Sequence, residues 1–247
     1  MKKLLLILLC FPLIGFGQDS KLEIGFVNGI TSSSIHGDLK DFYDNSSSIN
    51  VNSILRTNGG LMLQYNISDL LSVNSKLLYQ VKGWNNSGHI EITTVELPDG
   101  GIGTSHFDIF LYSHYISLPI LMKLNFGNKL RGTINTGFYT SYLLKEIQES
   151  EIDNDYSFRG IVGDDDYYIM TIEQRDNERE SSEYGRNRLD FGYVIGVGIS
   201  YVIYNKIRLS FDSNLEYGLI NKNIDEETSI PNYNIAYNCL FGCSYIL

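Results

Sequence analysis

The sequence predicts an all-β protein, an eight-stranded antiparallel up-and-down transmembrane β-barrel with long extracellular loops. Three observations carry that expectation. The first is a hairpin from Leu189 to Leu219. Every second residue of its first arm is apolar or aromatic: Leu189, Phe191, Tyr193, Ile195, Val197, Ile199, Tyr201 and Ile203. After an Asn205-Lys206 turn the pattern resumes through Ile207, Leu209, Phe211, Ser213, Leu215, Tyr217 and Leu219, with Arg208, Asp212 and Glu216 on the other face. Strand side chains alternate faces, so each arm has one greasy face and one wet face. Soluble strands run about 5–6 residues. An apolar row held about twice as long fits a tilted strand crossing a bilayer, which needs about 9–11 residues.

The second observation is the amino-terminal segment. Lys2 and Lys3 precede an apolar run from Leu4 to Ile14, followed by Gly15-Phe16-Gly17-Gln18. A charged start, a short apolar core and small residues before a cleavage point mark a secretory signal peptide. Residues 1–17 are expected to be removed, leaving 18–247 as the barrel domain and taking Cys10 away. The third observation is the spacing of connections. Long ones are expected at 34–52, 85–109, 145–187 and 221–232, and short ones at 68–69, 127–128 and 205–206. Outer-membrane barrels have short periplasmic turns and long outer loops, and eight strands with both ends in the periplasm reproduce that order.

The elements follow in sequence. A strand over 21–33 turns Leu22, Ile24 and Phe26 outward, and a second over 54–67 does so with Leu61, Leu63, Tyr65 and Ile67. A third begins at Leu71, with Val73, Leu77, Tyr79 and Val81 outward and Asn74, Lys76, Gln80 and Lys82 inward. The stretch Asn85–Ser105 breaks at Pro98-Asp99-Gly100-Gly101, a turn signal, and is expected to be a hairpin above the membrane. Were it to enter the membrane, the barrel would have ten strands. Strand four spans 110–126, with Ile116, Leu118, Ile120, Met122, Leu124 and Phe126 on one face, and strand five spans 130–144. The Leu189–Leu219 hairpin supplies strands six and seven. Strand eight, Tyr233–Leu247, alternates Tyr237, Cys239, Phe241, Cys243 and Tyr245 with Asn234, Ala236, Asn238 and Ser244.

Composition narrows the function. The formal charge of −10 argues against a nucleic-acid partner. Cys239 and Cys243 share a strand face about 13 Å apart, too far for a disulfide. Neither has a ligand-spaced His or acid beside it, so no metal site and no cofactor are expected. His36, His89 and His106 fall in loops or at their ends, and His114 sits on strand four between Ser113 and Tyr115. None has the Ser-His-Asp or His-Asp spacing that nucleophilic or general-base chemistry needs, so an outer-membrane enzyme is the weaker reading.

Two groups of residues remain as candidates. The inward faces collect Glu23, Arg56, Lys76, Lys123, Arg131, Asp190, Arg208, Asp212 and Glu216. An eight-stranded barrel is filled by its own side chains, so these are expected to form a charge network that closes the lumen. The third long loop carries 13 acidic and 3 basic residues between Glu146 and Glu183, densest at Asp164, Asp165 and Asp166. Adjacent carboxylates suit Ca²⁺ or a partner protein, though no EF-hand spacing is present. The expected function is that of a non-enzymatic barrel in the outer membrane, in contact with its lipid, acting as a structural or surface-binding protein through its acidic outer loops.

Several segments also resemble one family. Tyr115-Ile116-Ser117-Leu118-Pro119-Ile120-Leu121-Met122-Lys123, Gly137-Phe138-Tyr139, Asp190-Phe191-Gly192 with Gly196 and Gly198, and Tyr217-Gly218-Leu219-Ile220-Asn221 are together similar to the PorT-like outer-membrane β-barrel proteins of Bacteroidetes. The resemblance implies a barrel in the outer membrane. By analogy with the family's named member, it implies an alternative role as an accessory of a protein secretion apparatus, with envelope or secretion proteins as partners.

Overall fold

Nine antiparallel strands build the chain in the computed structural model, which describes residues 22–38, 40–41, 49–94, 101–161, 167–182, 187–204, 206–223 and 230–247. They are β1 (Leu22–His36), β2 (Ile49–Asn66), β3 (Leu71–Thr94), β4 (Gly101–Phe126), β5 (Leu130–Ile161), β6 (Tyr167–Ser182), β7 (Leu189–Tyr204), β8 (Ile207–Gly218) and β9 (Tyr233–Ile246). The signal-peptide segment 1–17 lies outside the described residues. Eight strands close a ring in the order β1-β2-β3-β4-β5-β7-β8-β9, with β9 returning to β1 through Glu23 opposite Ile246. Closure leaves no edge within the ring, which is how a sheet satisfies its backbone in lipid. Among the described residues no helix is long and apolar enough to cross a membrane.

Short connections and the ends of the ring share one rim. Residues 67–70, 127–129 and 205–206 join strands there, and Leu22 meets Leu247 beside them. Gly127 makes the middle turn with φ at +98°, and a Cβ would stand 2.3 Å from the Leu130 carbonyl oxygen. Only glycine takes that conformation freely.

The two faces separate as the alternation requires. The eight outward residues from Leu189 to Ile203 are all between 39 % and 60 % exposed. Their apolar row continues around the ring through Phe26, Leu63, Ile120, Ile134, Leu209 and Phe241. The inward face is polar and buried.

Above the ring the structure meets one expectation of the sequence and departs from another. Residues 85–109 form the expected hairpin rather than an irregular loop. β3 and β4 run on without interruption and stay paired to Thr94 opposite Gly101, so the ring keeps eight strands. The stretch 145–187 is not the expected loop. β5 continues to Ile161, pairing with β4 on one edge and with β6 on the other. β7 leaves β5 at Tyr142, and β6 takes over that edge from Glu146. The sequences of these extensions mix apolar and charged residues without a sustained period of two. The extensions are held by the backbone ladder, in a register that sets Glu149 opposite Arg179 and Asp153 opposite Arg175.

Arg56 is a further correction, since it does not face the lumen. The β2–β3 register shifts between Ser53 and Gly59, and Ser33 of β1 reaches past the gap. Its hydroxyl donates to the Gly83 carbonyl at 3.1 Å and accepts from the Gly83 amide at 2.8 Å. The displaced piece of β2 lies against the outside of β3 and β4. There Ile54 packs on Val81 and Tyr112, and the Arg56 guanidinium stands 4.4 Å from the Tyr112 ring centroid. A bulge shifts the face of every residue within it, which is why Val81 and Tyr112 are covered although they point outward.

Candidate functional site

The inward positions of the ring form one connected polar column. At the turn-side end Arg208 of β8 is paired through Nη1 with Glu23 of β1. Glu23 also accepts from Asn66 at 2.8 Å and Ser244 at 3.2 Å. One level up, Lys76 of β3 and Lys123 of β4 both donate to Asp212 of β8, each at 2.9 Å. Val27, Met62, Leu78 and Leu240 pack as an apolar group within the column. Beyond them lies the largest cluster. The Lys82 ammonium sits 2.8 Å from Glu216 and 3.3 Å from Asp190, and 4.0 Å from the Tyr139 ring centroid. Asp190 accepts from the Tyr139 hydroxyl at 3.1 Å and from Asn234 at 2.8 Å. Gln80, Asn58 and Thr31 converge on Asn238 beside it. At the outer end Lys222 donates to Ser113 at 3.1 Å, Ser113 donates to Glu146 at 2.7 Å, and Lys222 stands 4.6 Å from the Trp84 ring centroid.

The charges in this column cancel. Lys76, Lys82, Lys123, Arg208 and Lys222 face Glu23, Glu146, Asp190, Asp212 and Glu216, and all ten are buried. These ten contribute no net charge, so the chain's −10 comes from its other residues. Buried ions persist only when paired and further hydrogen-bonded, and each carboxylate here meets at least one cation. A void of about 10 Å³ lies between Glu23, Lys123, Arg208 and Asp212, at the lower limit for one water.

Of the nine inward charges expected from the sequence, the structure brings seven together: Glu23, Lys76, Lys123, Asp190, Arg208, Asp212 and Glu216. Arg131 sits half-exposed at the turn-side rim, where its Nε donates to the Asn128 carbonyl at 3.1 Å. Arg56 is on the outside. Three members were missed. Lys82 had the right parity and could have been included. Glu146 and Lys222 lie in stretches expected to be loops, where parity has no meaning. Asp164, Asp165 and Asp166 lie outside the described residues.

The histidines stand apart from this column. His114 lies outward, its Nδ1 2.6 Å from the Tyr79 hydroxyl. His36 stacks between Tyr217 and Tyr233 at the outer rim. Ser113 has a carboxylate and an ammonium beside it, and Lys222 donates to it, so Lys222 is not placed as a base toward that hydroxyl. Among the described residues no group of three His, Cys, Asp or Glu side chains is arranged to hold a metal.

The segments singled out for their resemblance meet in space. Tyr115, Tyr139 and Asp190 all surround Lys82. A Cβ on Gly192 would stand 2.7 Å from the Tyr139 ring, and one on Gly218 would stand 3.2 Å from the Tyr139 hydroxyl. Four stretches distant in sequence thus contribute to one pocket for one tyrosine and one lysine.

The model of the outer membrane protein beta-barrel domain family matches residues 16–222. No curated protein matches the chain significantly. Solved structures similar to it include three from other bacteria. The outer membrane protease OmpT of Escherichia coli is 10% identical over 92% of this chain and 97% of its own, with a TM-score of 0.42. Outer membrane protein W of E. coli is 13% identical over 94% and 100%, with a TM-score of 0.41. Ail, the attachment invasion locus protein of Yersinia pestis, is 11% identical over 91% and 98%, with a TM-score of 0.34.

Proposed function

The chain belongs to the outer membrane protein beta-barrel domain family, and from that premise we propose that it is a closed, non-enzymatic barrel that presents an acidic β-sheet at the cell surface. It is an outer-membrane protein in contact with lipid along its apolar belt. The observation that carries the reading is the lumen, where ten buried charges pair across the ring and fill it. What reaches the surface is the sheet formed by the upper parts of β3, β4, β5 and β6, with most of the chain's excess acid. That sheet serves as a structural or binding surface, and the run Asp164, Asp165 and Asp166 suits calcium or a basic partner.

The test is electrical. The purified protein in a planar bilayer should pass no steady current, and a large, stable single-channel conductance would overturn the closed lumen. The resemblance to PorT-like proteins supports a second reading, an accessory role in protein export in a Bacteroidetes envelope, with residues 1–17 removed on export. A deletion strain whose secreted proteins match those of its parent would leave surface binding as the standing reading.

A further inference from the structure

Asn28 breaks the apolar belt. It belongs to the outward row of β1 with Ile24, Phe26 and Ile30, and it is exposed as they are. It lies six positions above Leu22, which for a strand tilted about 40° is about 15 Å up, near the midplane of the hydrocarbon. Its register partners on the two sides are Gly59 of β2 and Phe241 of β9. The side chain lies over Gly59, its nitrogen 3.0 Å from where a Cβ would stand. Among the described residues no protein group takes a hydrogen bond from it. A carboxamide facing acyl chains has nothing to bond with, and polar groups at that depth are rare because they are costly.

Beside Asn28 the outer wall has a dent of about 380 Å³. Its floor is the small Cys243, and its sides are Phe26, Asn28, Leu209 and Phe241. Phe26 and Phe241 protrude from the same patch and are 70 % and 64 % exposed, among the highest values on the belt. A protruding ring next to an open dent lets each copy seat its ring in the other's dent. Two copies in one membrane are related by a two-fold axis along the membrane normal. That axis keeps every residue at its own depth, so Asn28 of one copy meets Asn28 of the other.

We propose that this face of β1, β8 and β9 is a homodimer contact within the membrane, in which the two Asn28 carboxamides bond to each other and Phe26 of each copy fills the dent over Cys243 of the other. A carboxamide is its own complement, offering a donor and an acceptor together. An acyl chain could fill the dent but could not answer the amide. A second copy does both.

The test uses the purified protein labelled with donor or acceptor dye at its amino terminus and reconstituted in phospholipid vesicles. The expected result is energy transfer between copies that declines as lipid is added in excess. Asn28→Leu should lower the dimerisation constant about tenfold, since paired polar bonds in a membrane together contribute on that order. Cys243→Phe fills the dent, and sedimentation in matched detergent should find it monomeric. Heat-dependent gel mobility shows whether each variant is folded. A folded protein that stays monomeric, or a dimer that Asn28→Leu leaves unchanged, would overturn the proposal.

Discussion

The lumen and the β5–β6 hairpin above it are both rich in charge, and they handle it in opposite ways. Inside the ring every acid has a cation within bonding distance, and the totals cancel. From Glu149 to Glu183, 12 acids stand against 3 bases, so even with Glu149 opposite Arg179 and Asp153 opposite Arg175 most of the acid is unmatched in sequence. The difference is the solvent. Water screens exposed charges within about 10 Å, so an exposed strand can carry excess acid at little cost. In the lumen the screening is gone, and an unmatched ion costs several kcal/mol.

The comparison can be broken first at Lys82. Lys82→Met strands Asp190 and Glu216 inside the wall, and we expect a loss of about 3–5 kcal/mol. Denaturant unfolding in lipid vesicles would read it through Trp84, the single tryptophan. Adding Asp190→Asn and Glu216→Gln should recover much of the loss. A loss below about 1 kcal/mol would mean that the lumen treats charge as the hairpin does.

A smaller effect separates packing from charge. Gly192→Ala removes no ion, but its Cβ would lie 2.0 Å from the Tyr217 carbonyl oxygen and 2.7 Å from the Tyr139 ring. About 1–3 kcal/mol should be lost in the same assay. An unchanged midpoint would mean that Tyr139 is not held tightly against β7.

The smallest effect belongs to the hairpin. Glu151 is exposed on β5 opposite Asn177, and Glu151→Gln should shift stability by no more than about 0.5 kcal/mol. A larger loss would show that the excess acid is structurally engaged, through an ion or a neighbouring strand.

How much was legible in the sequence follows the same division. The lipid-facing rows were readable residue by residue, because Leu189 to Ile203 obeys period two without a fault. Seven lumen charges followed from parity alone. Reading failed where parity lost its contrast. Glu149, Glu151 and Asp153 lie among Ile147, Ser150, Ile152 and Asn154, whose two isoleucines fall on opposite faces, so their strand looked like a loop. Arg56 failed for another reason. The bulge that displaces it is a matter of register between β2 and β3, and no local pattern near Ile54–Asn58 announces it. The Lys82 cluster was visible only as scattered resemblances, since its members come from β3, β4, β5, β7, β8 and β9.

The ring is sealed by its first and last strands. Ser244 on β9 hydrogen-bonds to Glu23 on β1 across 221 residues of chain. During synthesis β1 emerges long before its partner exists, and its apolar row and open edge stay exposed until the end. Such edges invite aggregation, and contacts this distant in sequence form slowly. Assembly therefore depends on something holding the finished chain apart until β9 can meet β1. A lesion in β9 would then be felt as a failure to leave the periplasm rather than as a weakened barrel.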